Sequence, residues 1–514
     1  MSLHLAILRN QYRDSVALMQ LSAALARLDG ITQASAVMAT PANLALLSRA
    51  GLIDTPPEAA PNDLLIALEG EEAAFDAALT HARQALEAKG GQSAGGPAEL
   101  PANSLTMALS RQPDSNLALI SVPGAYATAE AEKALRAGLN VMLFSDNVSG
   151  EDERRLKQLA TDLGRIVMGP DCGTAIIHGV PLAFANVCRA GAIGCVGASG
   201  TGLQQITTLI DTLGEGISQA IGTGGHDLAE SVGGLSMLAG IRALAEDDAT
   251  RVIVLVSKPP AEAVARKVLD AAIAAGKPVV VNFLGADPAR LPQHANLHYA
   301  TTLESAARMA VACVRGEPLQ DTPPQPHPET AAALKARLQP QQTRLRGLYS
   351  GGTFCYEATL MLADALPGLR SNTPTARAPA PDDVWHSAGH CLIDLGDDEF
   401  TRGRPHPMID HRLRNERFLA EAADETVAVI LFDIVLGFGA HDDPLAAMHD
   451  TLTEVRRLTA DAGREVALVA TVCGTAGDPQ GFERQRAGFA ALGVCLAASN
   501  AEAVALALAR AIVS

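Results

Sequence analysis

Two hydrophobic periods alternate along the first stretch of the chain, one of two residues and one near 3.6. Apolar-rich strands are predicted over Leu3–Leu8, Ile31–Met38 and Asp63–Leu68, and helices over Ser15–Leu28, Pro41–Ala50 and Glu71–Ala88. This order suggests a small ferredoxin-like α+β domain over 1–89. The run Gly90-Gly91-Gln92-Ser93-Ala94-Gly95-Gly96-Pro97 reads as a flexible linker. From 98 to 188 the pattern becomes βαβαβ, with strands Leu117–Val122, Asn140–Phe144 and Ile166–Met168 and helices Ala127–Ala137 and Gly150–Leu163. Strands this uniformly apolar are buried on both faces, so a Rossmann-like parallel unit is expected.

The rest of the chain repeats itself. Gly194–Gly202 joins a strand to a helix, and strands at Arg251–Ser257 and Lys277–Leu284 follow. Gly347–Thr353 again opens a helix, followed by Ile393–Asp398, Val427–Val435 and Arg464–Val472 in matching order. Two flavodoxin-like α/β domains are expected, over 190–316 and 341–514, with the proline-rich Glu317–Pro340 between them. Ser371–Ala388 reads as an insertion in the second copy, a mobile surface loop. The whole is a multidomain α/β chain.

Composition narrows what such a chain does. Hydrophobic residues make up 48% and aromatic residues 3%, which suits parallel sheets under Ala/Leu-rich helices. A formal net charge of −17 speaks against nucleic acid or anionic lipid as partner, and an anionic ligand then needs a locally positive pocket. No apolar run reaches membrane-spanning length, and Met1–Ala6 lacks the layout of a secretory leader. The eight cysteines fall in no CxxC or zinc-like spacing, which fits reduced thiols and a cytoplasmic location, with no metal site.

The candidate chemistry lies in the glycine turns. In Gly197-Ala198-Ser199-Gly200-Thr201-Gly202, backbone N–H groups and the positive helix end suit a phosphate or carboxylate, with hydroxyl donors from Ser199 and Thr201. Ser350-Gly351-Gly352-Thr353 repeats the device. The competing reading of both is a tight packing turn without a ligand. Arg402, Arg404 and His406 sit in a rigid Pro/Gly loop and either fork an anion or pair internally with Asp397 and Asp398. Asp394, Asp397 and Asp398 are also a weak Mg²⁺ signal. Lys258 closes a buried strand at its carboxyl end, either neutralising an anion or standing in solvent. His226-Asp227 reads as a loop cap before an acid–base pair, and Cys172 as a nucleophile would need a base.

Val167–Thr174, Gly194–Gly202 and Gly222-Thr223-Gly224-Gly225 together resemble the α subunit of succinyl-CoA synthetase, and Val427–Gly439 resembles the CoA-ligase domain of its β subunit. Thr40–Asn43, Phe144–Asn147, Leu182–Val187, Ile393–Asp398 and Gly403–Asp410 resemble the FdrA family. That resemblance implies a Rossmann-like CoA-binding-type domain followed by two CoA-ligase-type domains. It also implies a subunit of an oxamate carbamoyltransferase, interconverting oxalurate plus phosphate with oxamate plus carbamoyl phosphate in allantoin-type nitrogen catabolism. The alternatives are an acyl-CoA synthetase subunit and a scaffold subunit without a site.

Two departures from the succinyl-CoA synthetase pattern bear on the choice. The phosphorylated histidine of that enzyme sits on a Gly-His-Ala-Gly loop, whereas here Gly285–His294 is shorter and lacks the motif. Nor is there an ATP-grasp domain. The expectation is therefore a small anionic substrate, carbamoyl phosphate or phosphate, held by Ser199, Gly200 and Thr201 with Gly351, Gly352, Thr353 and Lys258. Arg402, Arg404 and His406 would act as catalytic partners, coenzyme A remains an admissible ligand, and the chain works in a hetero- or homo-oligomer.

Overall fold

The computed structural model describes every residue except 1, 12, 14, 41–42, 45–46, 49–51, 54, 56, 89–101, 323, 325–338, 402–403 and 512–514. Its chain divides into two compact units, one of Met1–Asn116, Ser121–Pro123 and Asp397–Asp410 and the other of Leu117–Ile120, Gly124–Gly396 and His411–Ser514.

The first unit holds β1 (Ser2–Leu8), α1 (Ser15–Leu25), β2 (Ile31–Met38), β3 (Leu64–Gly70), α2 (Phe75–Ala88) and α3 (Leu105–Arg111). Its antiparallel sheet runs β1-β3-β2. Successive side chains of a strand point to opposite faces, and the central strand uses both. Leu64, Ile66 and Leu68 join Leu18, Leu21, Leu25 and Phe75 on one side. Leu65 and Ala67 join Leu47 and Leu52 on the other. The linker expected over 90–97 lies outside the described residues, as does much of the helix expected over 41–50.

The second unit opens with β4 (Leu117–Ile120), α4 (Gly124–Arg136), β5 (Asn140–Leu143), α5 (Gly150–Asp162) and β6 (Val167–Met168), three parallel strands in the order β4-β5-β6. Next comes a hairpin, β7 (Thr174–Ile177) and β8 (Val180–Ala183), which the periodicity does not announce. Its turn is His178-Gly179, both at positive φ, the conformation that fits the twist of paired strands.

The first repeat then runs β9 (Ala190–Gly197), α6 (Gly200–Thr212), β10 (Ile217–Gly222), α7 (Leu235–Glu246), β11 (Val252–Ser257), α8 (Glu262–Ala274), β12 (Val279–Phe283), β13 (Leu297–Tyr299) and α9 (Leu303–Arg315). The second runs β14 (Arg344–Tyr349), α10 (Gly352–Leu362), β15 (Arg370–Ser371), β16 (Cys391–Asp394), α11 (Arg412–Ala423), β17 (Val427–Val435), α12 (Pro444–Asp461), β18 (Ala467–Cys473), α13 (Phe482–Ala491), β19 (Cys495–Ala497) and α14 (Asn500–Ala511).

Their sheets are ordered β13-β12-β11-β9-β10-β7-β8 and β15-β16-β14-β17-β18-β19. Matching β9 with β14 and β10 with β16 makes both cores 2-1-3-4-5, the flavodoxin-like order, in which ligands gather at the carboxyl ends near the first strand. The insertion expected to be mobile is instead tied down. Arg417 on α11 donates to the Val384 carbonyl and the Ser387 hydroxyl, and Ser371 N–H donates to the Pro379 carbonyl. Among the described residues no helix is long and apolar enough to cross a membrane.

Candidate functional site at the meeting of two helix ends

The first turn of α6 and the first turn of α10 face each other. Ser199 caps α6 by accepting the Gly202 N–H at 3.0 Å, and its hydroxyl lies 2.6 Å from that of Thr353 on α10. A Cβ placed on Gly351 would meet Thr201 Cγ2 at 2.9 Å, so only glycine lets the two turns approach this closely. Ser199, Thr201 and Thr353 are buried, whereas Gly200 is exposed and Gly352 half-buried, so the seam opens to solvent at its glycines.

Behind the seam the two repeats finish each other's helices. The Gln205 side-chain oxygen accepts the Asn500 N–H that starts α14, at 3.3 Å. Glu357, at the corresponding place in α10, accepts the Leu303 N–H that starts α9, at 2.8 Å. The first N–H groups of any helix lack partners within it, and here the other repeat supplies one. Glu357 also accepts from the Asn500 amide at 2.8 Å, and burial pushes its carboxyl up to about 7.

The two turns differ in charge. At the second, Asp433 of β17 accepts the Ser350 N–H at 2.7 Å and its hydroxyl at 2.8 Å. The fully buried Arg414 donates to the same carboxylate at 3.0 Å. Asp394 accepts the Gly396 N–H at 2.9 Å through Oδ1, and a Cβ on Gly352 would lie 2.5 Å from its Oδ2. The second turn therefore faces two of the protein's own carboxylates. At the first turn the position of Asp433 is taken by Val256, which packs against Gly197 and Gly202. A Cβ on Gly200 would meet the Thr174 hydroxyl at 3.4 Å, an ordinary contact.

Lys258 is exposed just past the end of β11, with its ammonium 5.7 Å from the ring centre of Tyr356, the fifth residue of α10. It leans across the boundary between the repeats. The structure thus brings Ser199, Gly200 and Thr201 together with Gly351, Gly352 and Thr353, and Lys258 reaches Tyr356 just beyond that turn of α10. Arg402 lies outside the described residues. Arg404 and His406 belong to the first compact unit, where the His406 ring accepts the Met408 N–H at 3.2 Å. The seam is built entirely from the second unit.

Other sequence candidates have structural duties. Asp227 is fully buried, caps α7 through the Ser236 and Met237 N–H groups, and pairs with the buried Lys157 at 2.8 Å. The neighbouring His226 is exposed. Burial pushes the Cys172 thiol up to about 12, so it is no thiolate nucleophile near neutral pH. No group of three or more metal-ligating side chains is assembled among the described residues. Sequence reasoning missed Asp433, Arg414, Gln205, Glu357 and Asn500. Asp433 had a signal, as the one charge inside the apolar run Val427–Val435.

Comparison with known proteins matches three family models to the chain. A CoA-ligase model covers residues 348–510 and a CoA binding domain model covers 189–285. A model described as AllF, heavy metal-associated domain, covers 1–101. That stretch contains no cysteine, and its His4 ring is stacked on Phe75. The Escherichia coli (strain K12) protein described as uncharacterized protein YahF is 45% identical over 504 residues, 97% of each chain. Succinate–CoA ligase subunit alpha 2 of Archaeoglobus fulgidus is 27% identical over 152 residues, 29% of this chain and 52% of that one. Among solved structures, acetyl-coenzyme A synthetase 1 of Ca. Korarchaeum cryptofilum aligns over 77% of this chain and 82% of its own, at 14% identity and a TM-score of 0.31.

Proposed function

Because the chain belongs to the family of the Escherichia coli protein YahF and carries a CoA-ligase domain and a CoA binding domain, we propose that it is the acyl-transferring subunit of an assembly of the succinyl-CoA synthetase kind. The observation that supports this is the Ser199–Thr353 contact, which sets two helix N-termini around one small volume with Gly200 open to solvent. The phosphate or carboxylate of an activated acyl group docks at the first turn, on the N–H groups of Gly200 and Thr201. Lys258 supplies positive charge from the side. One helix end contributes about 0.3–1 kcal/mol, up to ~2 when partly buried, and micromolar affinity needs ~8 kcal/mol. The lysine and direct hydrogen bonds therefore carry a large share. Holding the partners together lowers the barrier by proximity, and the aimed N–H groups stabilise the oxyanion of the tetrahedral intermediate. The diphosphate of coenzyme A fits the chemistry of the same exposed turn, and when bound coenzyme A supplies a thiol as acyl acceptor.

A second reading narrows the acyl group to carbamoyl. It is favoured by the pair of hydroxyls, and no histidine, at the point where the helix ends touch. In that reaction a phosphate oxygen attacks the carbamoyl carbon of oxalurate, the C–N bond breaks, and the nitrogen of the departing oxamate takes a proton. One experiment tests both. The chain, alone and with its co-purifying partners, is given carbamoyl phosphate and oxamate in one arm, and succinate, coenzyme A and nucleotide in the other. Gly200→Asp is carried alongside, because an added carboxylate repels the substrate while leaving the fold intact. Turnover in either arm that Gly200→Asp lowers at least ~100-fold supports the seam and chooses between the readings. Turnover untouched by that substitution refutes it.

A further inference from the structure

A second concavity lies away from the helix ends, at the far end of α6. It has a volume of about 140 Å³ and is walled by Thr208 and Thr212 of α6, Arg308 of α9, and Phe482 and Arg486 of α13, with Gln205 at its inner end. Val472, next to last in β18, and Ala497, the last residue of β19, also line it, at the carboxyl edge of the second sheet. That edge is where open α/β sheets hold ligands. Both repeats contribute to the walls, so an occupant touches each.

The charges in the cavity are unequal. Glu304 and Arg308 neutralise each other at 2.6 Å, and Glu304 is also held by the Ser499 hydroxyl. Arg486 is left over. Its guanidinium rests over the Phe482 ring at 5.3 Å, half-buried, and among the described residues no carboxylate pairs with it. A cation–π contact of this kind steadies the guanidinium and leaves its N–H groups for an anion. In a chain with a net charge of −17, a concavity with a spare, oriented cation is the kind of place an anion needs. Thr208 donates to the Gln204 carbonyl and also meets Cys473 Sγ at 3.6 Å, whereas Thr212 donates to the Thr208 carbonyl and keeps its oxygen as an acceptor. That combination, a cation and a hydroxyl acceptor in one cavity, suits a molecule with a carboxylate at one end and an N–H or O–H donor at the other. A cavity of about 150 Å³ holds a benzene-sized guest, so the guest has about six to eight non-hydrogen atoms.

We infer that this cavity binds a small carboxylate through Arg486, at a site separate from the helix-end seam. The inference does not depend on what the seam catalyses. The test is isothermal titration calorimetry of the full chain with oxamate and with succinate, and with the uncharged oxamide as control. Arg486→Ala and the cavity-filling Leu209→Trp are titrated beside the parent chain, and each variant's thermal unfolding is recorded first. The expected result is saturable binding of at least one carboxylate, none of oxamide, and a dissociation constant at least ~10-fold weaker in both folded variants, the loss of a charge-assisted hydrogen bond. Gly200→Asp, at the other end of α6, removes any second binding event at the seam and keeps the one that Arg486→Ala weakens. Absence of saturable binding by either carboxylate overturns the inference, as does equal affinity in Arg486→Ala, or loss of the heat in Gly200→Asp alone. If Arg486→Ala is unfolded, Leu209→Trp decides by the same criterion.

Discussion

The glycine turn at Gly200 and the glycine turn at Gly352 occupy the same place in two sheets of the same strand order, yet they use their glycines differently. At Gly200 the glycine leaves an exposed patch of helix-end N–H groups with ordinary contacts around it. At Gly352 it makes room for the protein's own Asp394, and Asp433 sits just behind on Ser350. A helix N-terminus attracts negative charge whatever its source. One turn has therefore internalised its anion and become a fixed wall, and the other remains open to a ligand. Duplication supplied two equivalent nests, and the side chain at one strand position, Val256 or Asp433, separated their roles.

The largest effect is expected where that difference is buried deepest. Arg414→Met leaves the Asp433 carboxylate without its cation, and breaking a buried pair in this way costs about 3–5 kcal/mol. Adding Asp433→Val, which makes the second turn resemble the first, should recover most of the loss. Urea unfolding of the single and double variants measures both, and a double variant no better than the single one breaks the comparison.

Glu357 and Gln205 offer the next test. Because burial raises the Glu357 carboxyl from 4.5 to about 7, the folded state holds this proton more tightly than the unfolded chain does. Its contribution is fully present below pH ~4.5 and is lost as pH rises through about 7. Glu357→Gln copies the residue at the matching place in the first repeat. Asn500 turns its NH2 to Glu357 and leaves its buried oxygen without a hydrogen-bond partner, so turning that amide over lets the new Gln donate to the oxygen, with loss of the bond to the Phe354 carbonyl. Stability at pH 8 should increase by about 2 kcal/mol, and the decline between pH 4.5 and 7 should flatten. Thermal melts across that range show whether it does.

Smaller effects separate the glycines themselves. Gly352→Ala forces Asp394 to move and should lower stability by about 1–2 kcal/mol. Gly200→Ala has room and should lie within ~0.5 kcal/mol of the parent, or above it. Similar losses at both would erase the distinction. Lys258→Ala removes a cation–π contact worth about 0.5–1 kcal/mol at an exposed site. Its melting temperature should hardly change, while substrate KM rises.

Much of this architecture is legible in the sequence because it is local. Continuous apolar runs announce β11 and β17, and glycines between strand and helix announce both turns. The fold class and the repeat follow from them. The hairpin at His178-Gly179 escaped because a non-glycine residue takes positive φ at its first turn position. The seam was legible as two separate nests and not as a contact, since Ser199 and Thr353 are joined across 154 positions of chain. What the sequence did not show was which nest had been filled. Asp433 looks like a flaw in an apolar strand until Ser350 and Arg414 are seen around it.

The exchange of caps between Gln205 and Asn500, and between Glu357 and Leu303, bears on how the polypeptide is assembled during synthesis. Helix α9 is translated before the residue that completes its start, so the earlier repeat stays unfinished until Glu357 has left the ribosome. Each half is in effect a template for the other. A gene cut between the codons for Gly316 and Gln339 should then yield two fragments that are poorly soluble when expressed singly and recombine into a native particle when expressed together.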